Sequence, residues 1–141
     1  LIVREKKAKL IFYVLNTRHA LFPEIRSLVL KTVGIEGELR SLVRKDKDIT
    51  LALLYGSFAR KEEKGESDID LLVVSDGTTE KLYAAIQKLE ARFHREINPT
   101  VYCRSEFRGR IAKRDTFVAH ILKQPYHLLK GNLHEFQKAA A

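Results

Sequence analysis

Two aspartates separated by one residue begin an apolar stretch in the middle of the chain. Asp68 and Asp70 are followed by Leu and Val residues up to Val74. On a β-strand, residues i and i+2 point to the same side and lie roughly 6–7 Å apart, so the two carboxylates would repel each other. A divalent cation removes this repulsion, and carboxylate oxygens suit Mg²⁺ or Mn²⁺. We therefore predict that Asp68 and Asp70 are metal ligands.

A Gly-Ser pair precedes these aspartates at a short distance. Gly56 and Ser57 directly follow a predicted strand over 49–55, and ten residues separate Ser57 from the first aspartate. Glycine lets the backbone approach a ligand closely, and a serine hydroxyl with neighbouring N–H groups can donate to phosphate oxygens. Arg60 and Lys61 come next and could neutralise phosphate charge. Each pair alone is common in turns, but their order and spacing together predict a site for metal-bound phosphates.

Strands and helices are predicted to alternate around this site. Alternating or continuous apolar runs predict the strands, and a 3.6-residue periodicity predicts the helices. Pro99 predicts that its strand lies at a sheet edge or carries a bulge. The alternation predicts an α/β (α+β) fold with a mixed β-sheet flanked by helices. The predicted elements are a hairpin over 1–16, helical segments between 22 and 44, strands over 49–55, 68–74, 97–102 and 126–129, a helix over 79–94, and helices capped by Ser105 and Asp115.

The net charge, the length of the apolar runs and the cysteine count limit the classes of protein to which the chain can belong. The 141 residues carry a net charge of +8, which favours anionic partners such as nucleic acid, nucleotide or an acidic protein, although a solvated basic surface has the same composition. No apolar run approaches the ~18 residues that span a bilayer, so no membrane association is expected. The single cysteine, Cys103, is expected to be a small buried residue. It excludes an intramolecular disulfide and fits a cytoplasmic protein.

The stretch GSFARKEEKGESDIDLLVV, residues 56–74, resembles the signature of the nucleotidyltransferase superfamily that includes DNA polymerase β. Its closest likeness is to the small branch of minimal nucleotidyltransferases. The resemblance implies a polymerase β palm-like domain, in which Gly56 and Ser57 bind nucleotide phosphates and Asp68 and Asp70 hold Mg²⁺. It also implies transfer of a nucleoside monophosphate, with AMP from ATP as the expected case, to a hydroxyl of a protein or nucleic acid. In the minimal branch the implied role is antitoxin-like, with a toxin protein as partner.

The chain departs from the family pattern at a third acid, which is expected on the strand after the long helix. That strand reads REINPTVYC, and Asn98 aligns with the expected aspartate. Glu96 shares a strand face with Asn98, and we predict that it replaces the acid as base or ligand for the acceptor hydroxyl. In the other interpretation, Glu96 is a solvated acid paired with Arg92 or Arg95, and the site binds nucleotide with weak or absent catalysis. The predicted catalytic residues are Asp68, Asp70 and Glu96.

The N-terminal hairpin carries basic residues between two apolar limbs. Together with the segment HALFPEIRSLVLKTVG, it resembles a prokaryotic subgroup in which a winged-helix DNA-binding module precedes the nucleotidyltransferase domain. The resemblance implies that residues 1–16 are the wing and that the recognition helix would precede Leu1. A basic hairpin is also common as a solvated edge. The side chains expected to contact DNA phosphates are Arg4, Lys6, Lys7 and Lys9.

Three segments and two functions follow. Residues 1–18 are predicted to be the hairpin and 19–131 the nucleotidyltransferase domain. Residues 132–141 are predicted to be a tail whose last three alanines resemble a cloning addition. The alternative function is a DNA-binding transcriptional regulator whose nucleotidyltransferase domain senses nucleotide or is inert. The hairpin and Asn98 favour the regulator, whereas the intact Gly-Ser and Asp-x-Asp pairs favour the enzyme.

Overall fold

The computed structural model describes residues 1–32, 34–60 and 67–139, and Lys61 lies outside the described residues. The chain divides into two compact units, Leu1–Glu38 and Leu39–Ala141. Strands and helices are mixed, which confirms the predicted fold class. The elements in chain order are β1 (Ile2–Lys7), β2 (Leu10–Leu15), α1 (Phe22–Thr32), α2 (Ile35–Lys45), β3 (Ile49–Tyr55), α3 (Gly56–Ala59), β4 (Ile69–Ser75), α4 (Glu80–Phe93), β5 (Ile97–Tyr102), α5 (Arg104–Ala112), α6 (Thr116–Lys123), β6 (His127–Lys130) and α7 (Leu133–Ala139).

The first unit contains the predicted hairpin. β1 and β2 pair antiparallel, with Ile2 opposite Leu15 and Lys7 opposite Leu10. Every residue of both strands is exposed, including the apolar residues of β2. α1 follows in the same unit.

The second unit contains a four-stranded sheet in the order β5-β4-β3-β6. β3 runs antiparallel to both β4 and β6, while β4 and β5 are parallel and are connected through α4. Residues 51–54 and 71–74 are buried because β3 and β4 are the two central strands. β5 lies at an edge, as Pro99 predicted.

One face of this sheet packs against the C-terminal helices. The Phe107 ring of α5 is fully buried, and its centroid lies 5.3 Å from that of Phe136 in α7 and 6.0 Å from that of Tyr102 in β5. Burial of one such aromatic side chain contributes roughly 1.5–3 kcal/mol to stability. α7 was not predicted from the sequence and lies in the segment that was expected to be a tail. The buried members of this cluster are Leu51, Leu53, Leu72, Val74, Tyr102, Phe107, Val118, Ile121, Leu133 and Phe136.

Two local predictions are corrected around α5. Ser105 was predicted to cap α5. The helix instead begins at Arg104, and Cys103 occupies the N-cap position. The Asp76 carboxylate instead accepts from the Arg104 N–H at 2.9 Å, which satisfies a free donor of the first turn. Cys103 was predicted to be buried and is exposed, because it lies beyond the end of β5. The Asp115 cap is confirmed, since its side chain accepts from the Val118 N–H.

None of the described helices combines the length and the apolar character needed to cross a lipid bilayer.

Candidate functional site

The junction between β3 and α3 brings Gly56 against Asp70. In the antiparallel pair of β3 and β4, Tyr55 lies opposite Asp70, so the next residue along the chain turns at the aspartate side chain. Gly56 has a φ of +75°, and a Cβ added there would overlap Asp70 Oδ2 and lie 3.3 Å from Asp70 Cγ. Only glycine combines this left-handed backbone with such a close approach. The predicted proximity of the Gly-Ser pair and the aspartates is therefore present, with Ser57 in the first turn of α3.

Asp70 lies on β4, whereas Asp68 immediately precedes the strand, which was predicted to begin at Asp68. Ile69 between them is fully buried, whereas Asp68 is exposed and Asp70 is half-buried. Burial raises the pKa of Asp70 above its ordinary value, and the negative charge of Asp68 adds to this rise. A hydrogen bond from Asn98 and the positive charge of Arg60 oppose it. The structure thus places Arg60, a predicted phosphate-binding residue, within electrostatic reach of the carboxylates.

Asn98 takes the position that sequence alignment assigned to the third acid. β5 pairs in parallel register with β4, and this register sets Asn98 beside Asp70. The Asn98 side chain is exposed, and its Nδ2 lies 3.4 Å from Asp68 Oδ2, so the amide can donate to this oxygen. A neutral amide donates to carboxylates but cannot accept a proton from a hydroxyl at neutral pH.

Glu96 lies one residue before β5, and its side chain is exposed. Its backbone carbonyl accepts from the Ile69 N–H at 2.9 Å, so its main chain joins the two strands near the aspartates. Within the described ranges, no group of three or more His, Cys, Asp or Glu side chains comes together in a way that could hold a metal ion. The role of Glu96 as a substitute acid stays a prediction.

Arg95 makes a contact that was not predicted from the sequence, where it was considered only as a partner for Glu96. Arg95 Nε and Nη2 donate to the Ser67 carbonyl at 3.2 and 2.6 Å, immediately before Asp68. The Arg95 guanidinium carbon also lies 5.8 Å from the centre of the Phe58 ring, in α3. No local pattern marks this contact, because 28 residues separate its two partners along the chain.

Tyr55 forms an aromatic wall on the same side of the sheet as Asp70. Its hydroxyl lies 3.5 Å from Thr100 Oγ1, and its ring packs edge-to-face against Phe117 with centroids 6.0 Å apart. Burial raises the pKa of the Tyr55 hydroxyl. The Tyr55 ring also packs against the buried core cluster of the second unit.

Comparison with known families identifies the family to which this chain belongs. The family described as "Polymerase beta, Nucleotidyltransferase" matches residues 37–124, which is more than half of the chain. The chain belongs to this nucleotidyltransferase family. The matched range includes the Gly-Ser pair, both aspartates, Glu96 and Asn98. The winged-helix subgroup stays a prediction, since the match does not reach the hairpin.

Solved structures agree with the nucleotidyltransferase fold. A crystal structure of a toxin–antitoxin with AMP-PNP matches with a TM-score of 0.52 at 18% identity, covering 74% of this chain and 82% of that chain. A mutant of the toxin–antitoxin MntA-HpeT matches with a TM-score of 0.52 at 17% identity and the same coverage. The comparison with curated protein sequences gave no match.

The nucleotidyltransferase family implies a divalent metal and a nucleotide, and the side chains present fit both. Mg²⁺ usually takes one or two protein carboxylates and completes its shell with phosphate oxygens and water. Asp68 and Asp70 provide two carboxylates at the start of β4, and the Asn98 side chain contacts both. Gly56 itself carries no side chain that could separate Asp70 from the turn that the phosphates would reach.

Proposed function

We propose that this chain is a Mg²⁺-dependent nucleotidyltransferase that transfers AMP from ATP to a hydroxyl of a partner protein, in an antitoxin-like role. The observation that carries this proposal is the packing of the Gly56 backbone against Asp70, next to Asp68. This packing joins a phosphate-binding turn to a pair of metal-binding carboxylates.

In the proposed reaction, the acceptor hydroxyl attacks the α-phosphorus of ATP, and the bond to the bridging oxygen breaks to release pyrophosphate. Bound Mg²⁺ would neutralise phosphate charge and favour loss of the hydroxyl proton. Asp68 and Asp70 hold the metal, while Ser57 donates to phosphate oxygens and Arg60 offsets their charge. Glu96 is the proposed acceptor of the hydroxyl proton, because the amide of Asn98 cannot take it.

The nature of the donor and of the partner is supported by the solved structures with the same fold. One of them is described as a toxin–antitoxin with AMP-PNP, an ATP analogue, and the other as a toxin–antitoxin mutant. A basic chain with a net charge of +8 would also attract an acidic protein partner or a nucleotide. We therefore place AMP transfer to a toxin-type protein ahead of transfer to nucleic acid.

The experiment uses ATP labelled on either the α- or the γ-phosphate, with Mg²⁺ and the protein encoded by the neighbouring gene as acceptor. We expect label on the acceptor from the α-position only. The double variant Asp68→Asn/Asp70→Asn is the control and should transfer no label. Transfer from the γ-position would identify a kinase-type reaction, and equal transfer by the double variant would exclude the proposed metal site.

The alternative is a DNA-binding regulator with a nucleotide-sensing or inert nucleotidyltransferase domain. Asn98 at the third position and the exposed basic hairpin favour it. Fluorescence anisotropy with a DNA duplex tests this function, since each Lys or Arg that contacts a phosphate adds about 0.9 to the slope of log K against log salt. Salt-dependent binding that disappears in Lys6→Ala/Lys7→Ala, without any AMP transfer, would favour the regulator.

A further inference from the structure

We propose that Arg95 is a positioning residue that holds Asp68 and α3 in the geometry needed to bind metal and nucleotide. The inference rests on the proposed function, because it assigns a role within the same site. Arg95 itself lies just before β5. It acts through the backbone of Ser67 and the ring of Phe58.

Arg95 holds the backbone at the start of β4. The paired register of β4 and β5 begins at Ile69 and Ile97, so Asp68 lies outside the ladder. The N–H of Ile69 is held by the Glu96 carbonyl at 2.9 Å. The preceding peptide group, which joins Ser67 to Asp68, is held by Arg95. Its Nε and Nη2 both donate to the Ser67 carbonyl. Arg95 therefore fixes the peptide that leads into an exposed metal ligand.

Arg95 also contacts α3 through the ring of Phe58. The Arg95 guanidinium carbon lies 5.8 Å from the centre of the Phe58 ring, within the range of a cation–π contact. Phe58 directly follows Ser57, and its ring also packs edge-to-face against His127 of β6, with centroids 6.4 Å apart. One side chain thus contacts both halves of the site, the phosphate-binding turn and the entry to the carboxylate strand.

The chemistry of this contact requires arginine. A guanidinium is planar, so it can direct two N–H groups at one carbonyl while another part of it lies over an aromatic ring. A lysine ammonium keeps the charge but does not reproduce this fixed fork. Residues that orient metal ligands in this way usually change metal affinity or activity by about 10–100-fold when they are replaced.

The experiment compares Arg95→Gln and Arg95→Lys with the wild type and with Arg92→Gln. Arg92→Gln is the matched control because it removes the same positive charge. Arg92 is exposed on the preceding helix, and its guanidinium carbon lies 5.1 Å from the centre of the Phe93 ring. The first measurement is MgATP affinity by calorimetry. The second is hydrogen–deuterium exchange of the backbone over residues 67–71 in the absence of ligand.

We expect Arg95→Gln and Arg95→Lys each to weaken MgATP binding by about 10–100-fold. We also expect faster exchange over residues 67–71, while Arg92→Gln behaves as the wild type in both measurements. Full affinity in Arg95→Lys would overturn the inference, because charge alone would then be sufficient. Equal behaviour of Arg95→Gln and Arg92→Gln would also overturn it.

The two proposals fail in different ways. If wild-type protein does not bind MgATP, the proposed function is overturned, and with it the role of Arg95 in ligand binding. If the wild type binds MgATP and Arg95→Gln binds equally well with unchanged exchange, only the role of Arg95 is overturned. A lower melting temperature in Arg95→Gln without a change in exchange over 67–71 would identify a general structural role instead.

Discussion

The two strands that flank β4 surround Asp70 in different ways. On the β3 side, a Cβ at position 56 would overlap Asp70 Oδ2, and the left-handed backbone of Gly56 favours glycine. On the β5 side, Asn98 is paired with Asp70 in register, but its side chain is exposed and neutral. The first contact is determined by steric exclusion, and the second consists of amide hydrogen bonds.

This difference separates binding from chemistry. The β3 side supplies a close backbone approach to Asp70, which the proposed binding of metal and nucleotide would use. The β5 side is where the family pattern places an acid, and Asn98 cannot accept a proton there. A nucleotide-binding site can therefore be complete while proton transfer depends on another residue, for which Glu96 is the proposed candidate. The predictions below test the two sides against each other.

The largest effect is expected from the Asp68→Asn/Asp70→Asn double variant. It removes both carboxylates, so saturable MgATP binding should be lost and transfer should fall at least roughly 10³-fold. The melting temperature without ligand should equal or exceed that of the wild type, since burial and the charge of Asp68 disfavour ionised Asp70. Calorimetric titration and differential scanning calorimetry measure the two quantities. Wild-type affinity in the double variant would contradict the metal assignment.

A smaller loss is expected from Gly56→Ala. The left-handed backbone and the overlap with Asp70 Oδ2 should destabilise the fold by about 1–3 kcal/mol and displace the carboxylate, which weakens MgATP binding. Urea unfolding and calorimetry measure both. Gly109→Ala is the matched control, because an added Cβ there meets no atom within 4 Å.

Because Gly109 lies within helix α5, the Gly109→Ala variant should be more stable than the wild type by roughly 0.5–1 kcal/mol. Its MgATP affinity should be unchanged. If both alanine variants behaved alike, the close packing at Gly56 would have no functional meaning.

On the β5 side, Asn98→Asp should raise the rate of AMP transfer, and Glu96→Gln should lower it. A positioned base typically contributes about 10²–10⁴-fold to the rate, and an aspartate at position 98 would supply one beside the carboxylate pair. Single-turnover transfer rates at saturating MgATP measure the effect. An unchanged rate in Glu96→Gln would exclude Glu96 as the base.

The smallest effect concerns pH. Because the pKa of Asp70 is raised, its carboxylate is protonated at a higher pH than an ordinary aspartate, so MgATP affinity should fall earlier on acidification. Without ligand, the contribution of Asp70 to stability changes with pH in the opposite direction to MgATP affinity. A raised folded-state pKa contributes stability that is present below the unfolded-state pKa and is lost as pH rises through the folded-state value.

The melting-temperature difference between Asp70→Asn and the wild type should therefore shrink as pH falls from about 7 to 4. Calorimetric scans of both proteins across this range measure it. A constant difference would show that Asp70 does not titrate as inferred.

Much of the fold was predictable because its patterns are local. The continuous apolar runs of β3 and β4 indicated buried strands, and Pro99 indicated an edge. α7 was not predicted, since its short amphipathic pattern gains stability only when Leu133 and Phe136 pack around Phe107. The burial of Cys103 was predicted wrongly, because its position relative to the end of β5 depends on where the strand stops.

The sequence by itself determined which residues could do the chemistry: a Gly-Ser pair and two aspartates on one face of a strand. Residue type and the two-residue period of a strand were sufficient for that. Only the tertiary structure decided how they meet. The antiparallel register of β3 and β4 brings Gly56 against Asp70, and the parallel register of β5 brings Asn98 to the same carboxylates. The contact of Arg95 with Ser67 was invisible for the same physical reason, since register and crossover connections join residues far apart in the chain.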